Sequence, residues 1–445
     1  MTQKQTWHLP KETPAPGKVA YINARLIDPE SGLDTKGALL TEGESIKDFG
    51  AKLFNDGVPE GIAVVDCGGH VLCPGLLDIQ VHFREPGQEH KETIETGSKS
   101  AAAGGITTVV CQPNTRPVLD NVPILEYLKT RARESSYINI RAYASISKNM
   151  EGKELTEMGM LKDTGIVVGF TDDGLPLMSS LLMRRALEYA GMFDMPIAQH
   201  AEDIVLSDKG CINEGKISAK LGVKGICNAT EAIIVARDLL LLEMTGGRYH
   251  VLHISTRQAV ELVRQAKKKG LPVTAEAAPH HFILTEDAVE DYRTFAKMNP
   301  PLRTEEDRLA IIEGLKDGTI DCIATDHAPH DQESKRRPLQ EASFGIVGVE
   351  TMLPLSLKLV QDTQLTLRDA LGKMTWRAAD IIKEPAGRLK KGARADLTLI
   401  DLDHKWIIDP EAFASKSKNS PFEGFPAKGR ALRTVVGGKT VYQLG

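Results

Sequence analysis

Two hydrophobic patterns take turns through the middle of this chain. Short apolar runs of strand length fall at 76–83, 107–112, 138–145, 166–170, 196–200, 250–253, 273–277 and 320–326. Helix-like stretches lie between them at 91–103, 123–133, 181–190, 231–244, 258–269 and 305–315. Eight strands alternating with helices predict an α/β fold, a (β/α)8 barrel. An open doubly wound sheet is the alternative, but no GxGxxG follows the first strand. On either side the pattern turns short and β-like, with Gly turns: VAYINARLID and 62–67 before the barrel, GRLKKGARADLTLIDLD and ALRTVVGGKTVYQLG after it. Each flank is too short to hold a core alone. They are therefore expected to pair into one composite β-domain of residues 17–70 and 386–445, around a barrel of residues 71–385. Residues 1–16 are polar and Pro-bearing, an expected arm with no core of its own.

The barrel gives meaning to the polar residues that close its strands. The apolar run 71–77 leads into Asp78, Gln80, His82 and Arg84 before Pro86-Gly87 stops the strand. Alternate residues share a face, so Gln80, His82 and Arg84 are expected to point the same way. An imidazole and a guanidinium there suit a metal and an anion. The second run ends in Gln112-Pro113-Asn114-Thr115, the fourth in Thr171-Asp172-Asp173-Gly174, the fifth in His200, the sixth in His253 and the eighth in Asp326. Taken singly, an Asp-Asp-Gly is a turn and a histidine after an apolar strand is a core residue. Taken together at the carboxyl ends of barrel strands, where such folds place their chemistry, they resemble a zinc site of nitrogen and oxygen donors. Asp326 can be both a ligand and a proton acceptor, because a metal lowers the pKa of its water to about 7, and it can pass that proton to a leaving nitrogen. His330, four residues on, is better placed to touch substrate, and Asn299 in KMNPPLR is a further polar contact.

Composition narrows the rest. A net charge of −5 and few aromatics, with no dense basic block, argue against a nucleic-acid partner. No apolar run approaches membrane-spanning length, and the first residues lack the apolar core of a signal peptide. Cys67, Cys73, Cys111, Cys211, Cys227 and Cys322 are scattered without CxxC pairing, which reads as reduced, buried cysteines of a cytoplasmic protein.

The stretches HFREPGQEHKETIETGSKSAAAGGITTV, QPNTRPV, GFTDDGLP, QHAED, HIST, EAAPHH, KMNPPLR, DCIATDHAPH and FGIVGVET, in this order, resemble the dihydroorotases of the amidohydrolase superfamily. The resemblance runs from about Val19 to Tyr442 and is nearest to the bacterial type I branch, in which an aspartate bridges two metals. It implies a (β/α)8 barrel with a composite β-domain, a zinc centre of one or two ions per chain, and zinc-dependent cyclisation of N-carbamoyl-L-aspartate to L-dihydroorotate in de novo pyrimidine (UMP) biosynthesis. By motif, His82 would bind the first metal, His200 and His253 the second, and Asp173 would bridge, with Asp172 in reserve. Asp326 would bind the first metal and act as general base, then acid. Arg84, Asn114, Asn299 and His330 would hold the substrate, Arg84 and His330 at its carboxylate, and Phe344-Gly345 would meet the ring through backbone groups. The charged stretch 331–343 between His330 and Phe344 is expected to be a lid. The resemblance also implies a homodimer, and aspartate transcarbamoylase as a candidate partner. One position departs: where the family has His-x-His, this chain has Gln80-Val81-His82. A glutamine carbonyl is a poorer zinc ligand than imidazole, so the first metal is expected to be weak. The alternatives are a degenerate relative serving as structural partner of aspartate transcarbamoylase, or another cyclic amidohydrolase, hydantoinase- or allantoinase-like.

Overall fold

The computed structural model describes residues 5–12 and 17–445. Eight parallel strands form one sheet: β1 (Leu76–Val81), β2 (Ile106–Cys111), β3 (Asn139–Ala144), β4 (Val167–Phe170), β5 (Pro196–Gln199), β6 (Arg248–Val251), β7 (Val273–Ala277) and β8 (Cys322–Ile323). They stand side by side in chain order. The barrel closes where Val81 pairs with His327 and the His82 N–H donates to the His327 carbonyl at 2.8 Å. Helices lie between the strands, as the alternation predicted, and their starts are fixed by local chemistry. Thr93, Asn121, Thr256 and Thr304 each accept a backbone N–H from the first turn of the helix that follows, meeting donors that the helix cannot satisfy itself.

The barrel interior is packed rather than hollow. Leu77, Ile79, Val110, Tyr143, Val168, Ala198, Leu252 and Cys322 fill it, and Ala378, Ala379, Ile381 and Ile382 of helix Trp376–Ile382 join that cluster. Truncating one of these leucines to alanine would cost about 2–5 kcal/mol. Above this packed floor lie the carboxyl ends of the strands, where barrels of this kind place their chemistry.

Among the described residues a second sheet of nine strands combines both ends of the chain. Val71–Pro74 lies at its junction, antiparallel to Leu397–Ile407 and parallel to Lys18–Asp28. One residue later the chain enters β1. Gly75 makes this possible: a Cβ there would lie 2.1 Å from Thr107 Oγ1. The expected arm needs a correction. Gln5–Trp7 is a strand paired with Lys439–Leu444, because Trp7 packs on Tyr442 with ring centroids 5.5 Å apart and donates its indole N–H to the Lys99 carbonyl. The remainder of the arm expectation, at 1–4 and 13–16, lies outside the described residues. Among the described residues no helix is long and apolar enough to cross a membrane.

Candidate metal centre

At the carboxyl ends of β1, β4, β5, β6 and β8 the chain gathers His82, Asp173, His200, His253 and Asp326, all buried. Strand endings put them there. His253 and Asp326 leave their strands with φ of +31° and +50°, a left-handed conformation uncommon for residues with a side chain. The turn after His253 is pinned by the buried Glu231, which accepts from the Ser255 and Thr256 N–H groups at 3.0–3.1 Å.

Asp173 lies between two donor groups and offers one oxygen to each. Its Oδ2 is 3.2 Å from His82 Nε2, which is itself 3.1 Å from Asp326 Oδ1. Its Oδ1 is 3.6 Å from His200 Nδ1 and 3.5 Å from His253 Nε2. Those two ring nitrogens are 2.9 Å apart. Within each group, His82–Asp173–Asp326 and Asp173–His200–His253, the donor atoms all lie within 4.8 Å of one another.

For two of the three rings the far side decides which nitrogen is free, while His253 Nδ1 is buried without a partner among the described residues. His82 Nδ1 faces the Asn114 side-chain carbonyl at 2.9 Å, and His200 Nε2 faces Glu202 at 3.0 Å. Protons on those outer nitrogens leave the inner lone pairs for a metal, the usual arrangement of histidine ligands. Charge agrees. Burial works against a charge on His82, but its bonds to Asp173 and Asp326 outweigh that and push its pKa up to about 9. Burial would raise Asp173, yet His253 and His82 hold it well below the usual carboxylate range. The carboxylates call for positive charge at this spot, and the nitrogen and oxygen donors suit a borderline divalent ion. The residues fit a metal.

Gln80 reaches the same place in a different role. Its Nε2 donates to Asp173 Oδ2 at 3.3 Å, and its Oε1 is buried without a partner. As oriented, the amide competes for the oxygen that the first group would give to a metal. Gln80 and His82 do share a face, as alternation predicted. Asp78 does not join them: the pairing of β1 with β2 shifts between Asp78 and Val81, and the Asp78 carboxylate bonds Thr325.

The reserve bridge, Asp172, is committed elsewhere. It accepts from the Ile146 N–H at 2.8 Å, the Ser147 N–H at 3.1 Å and the Ser147 hydroxyl at 2.5 Å. Asp172→Ala should therefore lower stability by about 1–3 kcal/mol, the scale of stranding buried donors, and leave metal content unchanged. Thermal unfolding and metal analysis on one preparation check both halves, and metal loss would make Asp172 a ligand.

Arg84 and His330 stand beside the donor groups. Arg84, at φ +62°, donates through Nε to the Pro329 carbonyl at 3.2 Å, and its Nη2 is 3.3 Å from His330 Nε2. Among the described residues no carboxylate forms an ion pair with the guanidinium; burial lowers its pKa to about 10, against the longer-range pull of Asp326, Asp173 and Glu92. Asn299 faces inward, donating to Glu202 at 2.8 Å. Two substrate expectations change in detail: the Asn114 carbonyl is turned to His82, and both Gly345 backbone groups have protein partners, Lys297 for the N–H, Lys335 and Asn419 for the carbonyl. Glu202, which orients His200, escaped the sequence reading, although it sits two residues beyond His200 in the quoted QHAED stretch. One layer lower, His250 and Glu276 form a buried pair at 3.1 Å. Burial pushes Glu276 up to about 8 and His250 down to about 3, which favours the uncharged form of each.

Comparison with known proteins gives the family and the fold. A family model described as Dihydro-orotase-like matches residues 69–259. The chain is 60% identical to the dihydroorotase of Wolbachia sp. subsp. Brugia malayi (strain TRS) over 441 residues, 98% of this chain and 99% of that one. It is 57% identical to the dihydroorotase of Ehrlichia chaffeensis (strain ATCC CRL-10679 / Arkansas) over 443 residues, 99% and 98% of the two chains. Among solved structures, the L-hydantoinase of Arthrobacter aurescens superposes with a TM-score of 0.86 at 27% identity, over 96% of each chain. Dihydropyrimidinase from Brevibacillus agri NCHU1002, at 20% identity and a TM-score of 0.84 over 95% of each chain, shares the fold. With such identity sustained over its whole length, and with its strand-end residues gathered as described, the chain belongs to the dihydroorotase family of cyclic amidohydrolases.

Proposed function

We propose that this protein is a dihydroorotase, interconverting L-dihydroorotate and N-carbamoyl-L-aspartate in pyrimidine biosynthesis. The observation that carries the reading is Arg84, a buried guanidinium that bonds no carboxylate directly among the described residues and is paired with His330 beside the donor groups, with the charges of Asp326, Asp173 and Glu92 acting on it only at longer range. Burying a guanidinium without a directly bonded anion leaves its N–H fork unsatisfied, and a ring substrate bearing a carboxylate would fill that fork. Full-length relatives named dihydroorotase support the same substrate. A hydantoin ring carries no such carboxylate, and the Arg84–His330 pair would gain nothing from it.

In this reading His82, His200, His253, Asp173 and Asp326 hold zinc, with Asp173 shared. Bound there, the metal supplies Lewis acidity to the ring carbonyl. The chain does the rest. Arg84 and His330 fix the substrate carboxylate. Asp326 takes a proton from the attacking water and returns it to the ring nitrogen as the C–N bond breaks, and in cyclisation it runs the same transfer backwards. Hydrolysis of L-dihydroorotate by the purified protein with added zinc is the direct test, with hydantoin as the comparison substrate. Turnover of hydantoin but not of dihydroorotate would overturn the reading, and no turnover of either with zinc bound would favour a structural partner. A homodimer is the proposed assembly. Ile233, Leu240 and Met244, exposed and spaced along one side of helix Ala229–Thr245, offer an apolar surface for it, and sedimentation velocity reads the result. A complex with aspartate transcarbamoylase is the remaining partner proposal, tested by co-sedimentation.

Gln80 makes the two metal positions unequal. The group with two imidazoles, His200 and His253, should hold zinc through dialysis. The His82–Asp326 group lacks an imidazole and shares its bridging oxygen with the Gln80 amide, so its zinc should appear only at raised concentration. Gln80→His should bring occupancy towards two per chain and increase dihydroorotate hydrolysis. Two firmly held zincs in the unmodified protein would show that Gln80 is an adequate ligand after all.

A further inference from the structure

The segment 328–347 carries His330 at one end and Phe344-Gly345 at the other, and one residue from the far end of the chain holds both limbs. Asn419 is buried. Its Nδ2 donates to the Ala328 and Gly345 carbonyls, each at 3.0 Å, its Oδ1 accepts from the His330 N–H at 3.1 Å, and its own carbonyl accepts from the Val347 N–H at 3.0 Å. The limbs run so close that a Cβ on Gly345, at φ +117°, would come within 2.6 Å of the Ala328 Cβ.

The neighbours of Asn419 grip the other side of the site. Ser415 donates to Glu92, the Lys416 N–H donates to Glu92 at 3.1 Å, and the Ser417 hydroxyl donates to the Lys91 carbonyl at 2.7 Å. Residues 91 and 92 belong to the loop that leaves β1 through Arg84. The short segment 415–419 thus joins the loop after β1 to the loop after β8, and these loops supply Arg84 and His330. Two buried lysines brace the same arrangement. Lys335 donates to the Lys297, Ser343 and Gly345 carbonyls, and Lys297 donates to the Leu339 and Gln340 carbonyls.

We infer that Asn419 is a positioning residue for substrate recognition, setting the place of His330 relative to Arg84 and so the fit of the substrate carboxylate. The inference rests on the dihydroorotase reading. Asn419 touches none of the donor side chains of the metal centre, so its loss should move binding and spare metal and chemistry.

The test is steady-state kinetics of Asn419→Ala on L-dihydroorotate, with zinc content measured on the same samples. KM should rise about tenfold, the scale of one lost buried hydrogen-bonding position, while kcat stays within about threefold and zinc content is unchanged. In an Arg84→Lys background the KM effect of Asn419→Ala should shrink, because both residues act on one carboxylate. A purely structural role would instead add its effect in either background. If Asn419→Ala does not fold, Asn419→Ser, which keeps a hydroxyl near one of the two carbonyls, is read the same way. An unchanged KM, a fall confined to kcat, or loss of zinc would overturn the inference. Failure of the unmodified protein to turn over dihydroorotate would overturn the functional reading instead.

Discussion

Replacing Asp173 by alanine is expected to release metal from both donor groups and to lower dihydroorotate hydrolysis by about a thousandfold or more. A metal acting on a carbonyl is worth several kcal/mol of transition-state stabilisation, and each 1.36 kcal/mol is about tenfold in rate. The reach of this one change follows from geometry. Asp173 presents Oδ2 to His82 and Oδ1 to His200 and His253, so its removal takes a ligand from each group at once. His200→Ala should likewise lose its zinc on dialysis but, unlike Asp173→Ala, keep a weak His82–Asp326 remnant that fills at raised zinc concentration. The measurement is metal per chain after dialysis, with activity on the same material. An Asp173→Ala protein that keeps its metal would show that the bridging assignment is wrong. The fold should survive, because among the described residues the Asp173 carboxylate otherwise bonds only its own turn, through the Gly174 N–H at 2.9 Å, and the Gln80 amide.

The contrast between Asp173 and Asp172 shows what a sequence can and cannot say. The strands and their polar endings were legible, because an apolar run closed by His or Asp has few readings once eight such runs alternate with helices. The choice between two adjacent carboxylates came from the resemblance and not from the residue pattern, because what commits Asp172 elsewhere is the Ile146 and Ser147 N–H groups, which come to it from another strand's loop. The same limit hid Asn419, whose contacts with 328–347 span 72–91 positions of sequence; Glu202, two residues past His200, was near in sequence but carried no pattern that told it from an ordinary loop carboxylate. Local irregularity was invisible too. Alternation predicted the shared face of Gln80 and His82, but no residue pattern marks the register shift that sends Asp78 to Thr325. Helices Met352–Gln361, Leu367–Lys373 and Trp376–Ile382, outside the predicted helix set, carry buried faces. Residues along Met352–Gln361 are buried on nearly every side, so the one-sided pattern of an amphipathic helix is lost.

Arg84→Lys is expected to raise KM for dihydroorotate by about tenfold or more and to leave kcat nearly unchanged. Arg84→Met should lower kcat/KM by about thirtyfold to several thousandfold. The second range is that of truncating one partner of a buried, hydrogen-bonded charge pair, about 2–5 kcal/mol. The two differ for a chemical reason. A guanidinium meets a carboxylate with two parallel N–H groups, while an ammonium keeps the charge and loses the fork. Lysine therefore still attracts the substrate but holds it loosely, which is a loss of binding common to ground and transition states. Methionine keeps much of the packing volume and removes the charge. The site around Arg84 makes the prediction sharp: among the described residues its side chain bonds only the Pro329 carbonyl and His330, so neither substitution strands a directly bonded carboxylate, and stability should change little. The left-handed φ of +62° at this position is a cost that lysine and methionine bear as arginine does. Kinetics and thermal unfolding on the same variants separate the roles. An Arg84→Lys protein that unfolds early yet binds dihydroorotate as tightly as the parent would make Arg84 a structural residue, and the carboxylate would then need another anchor.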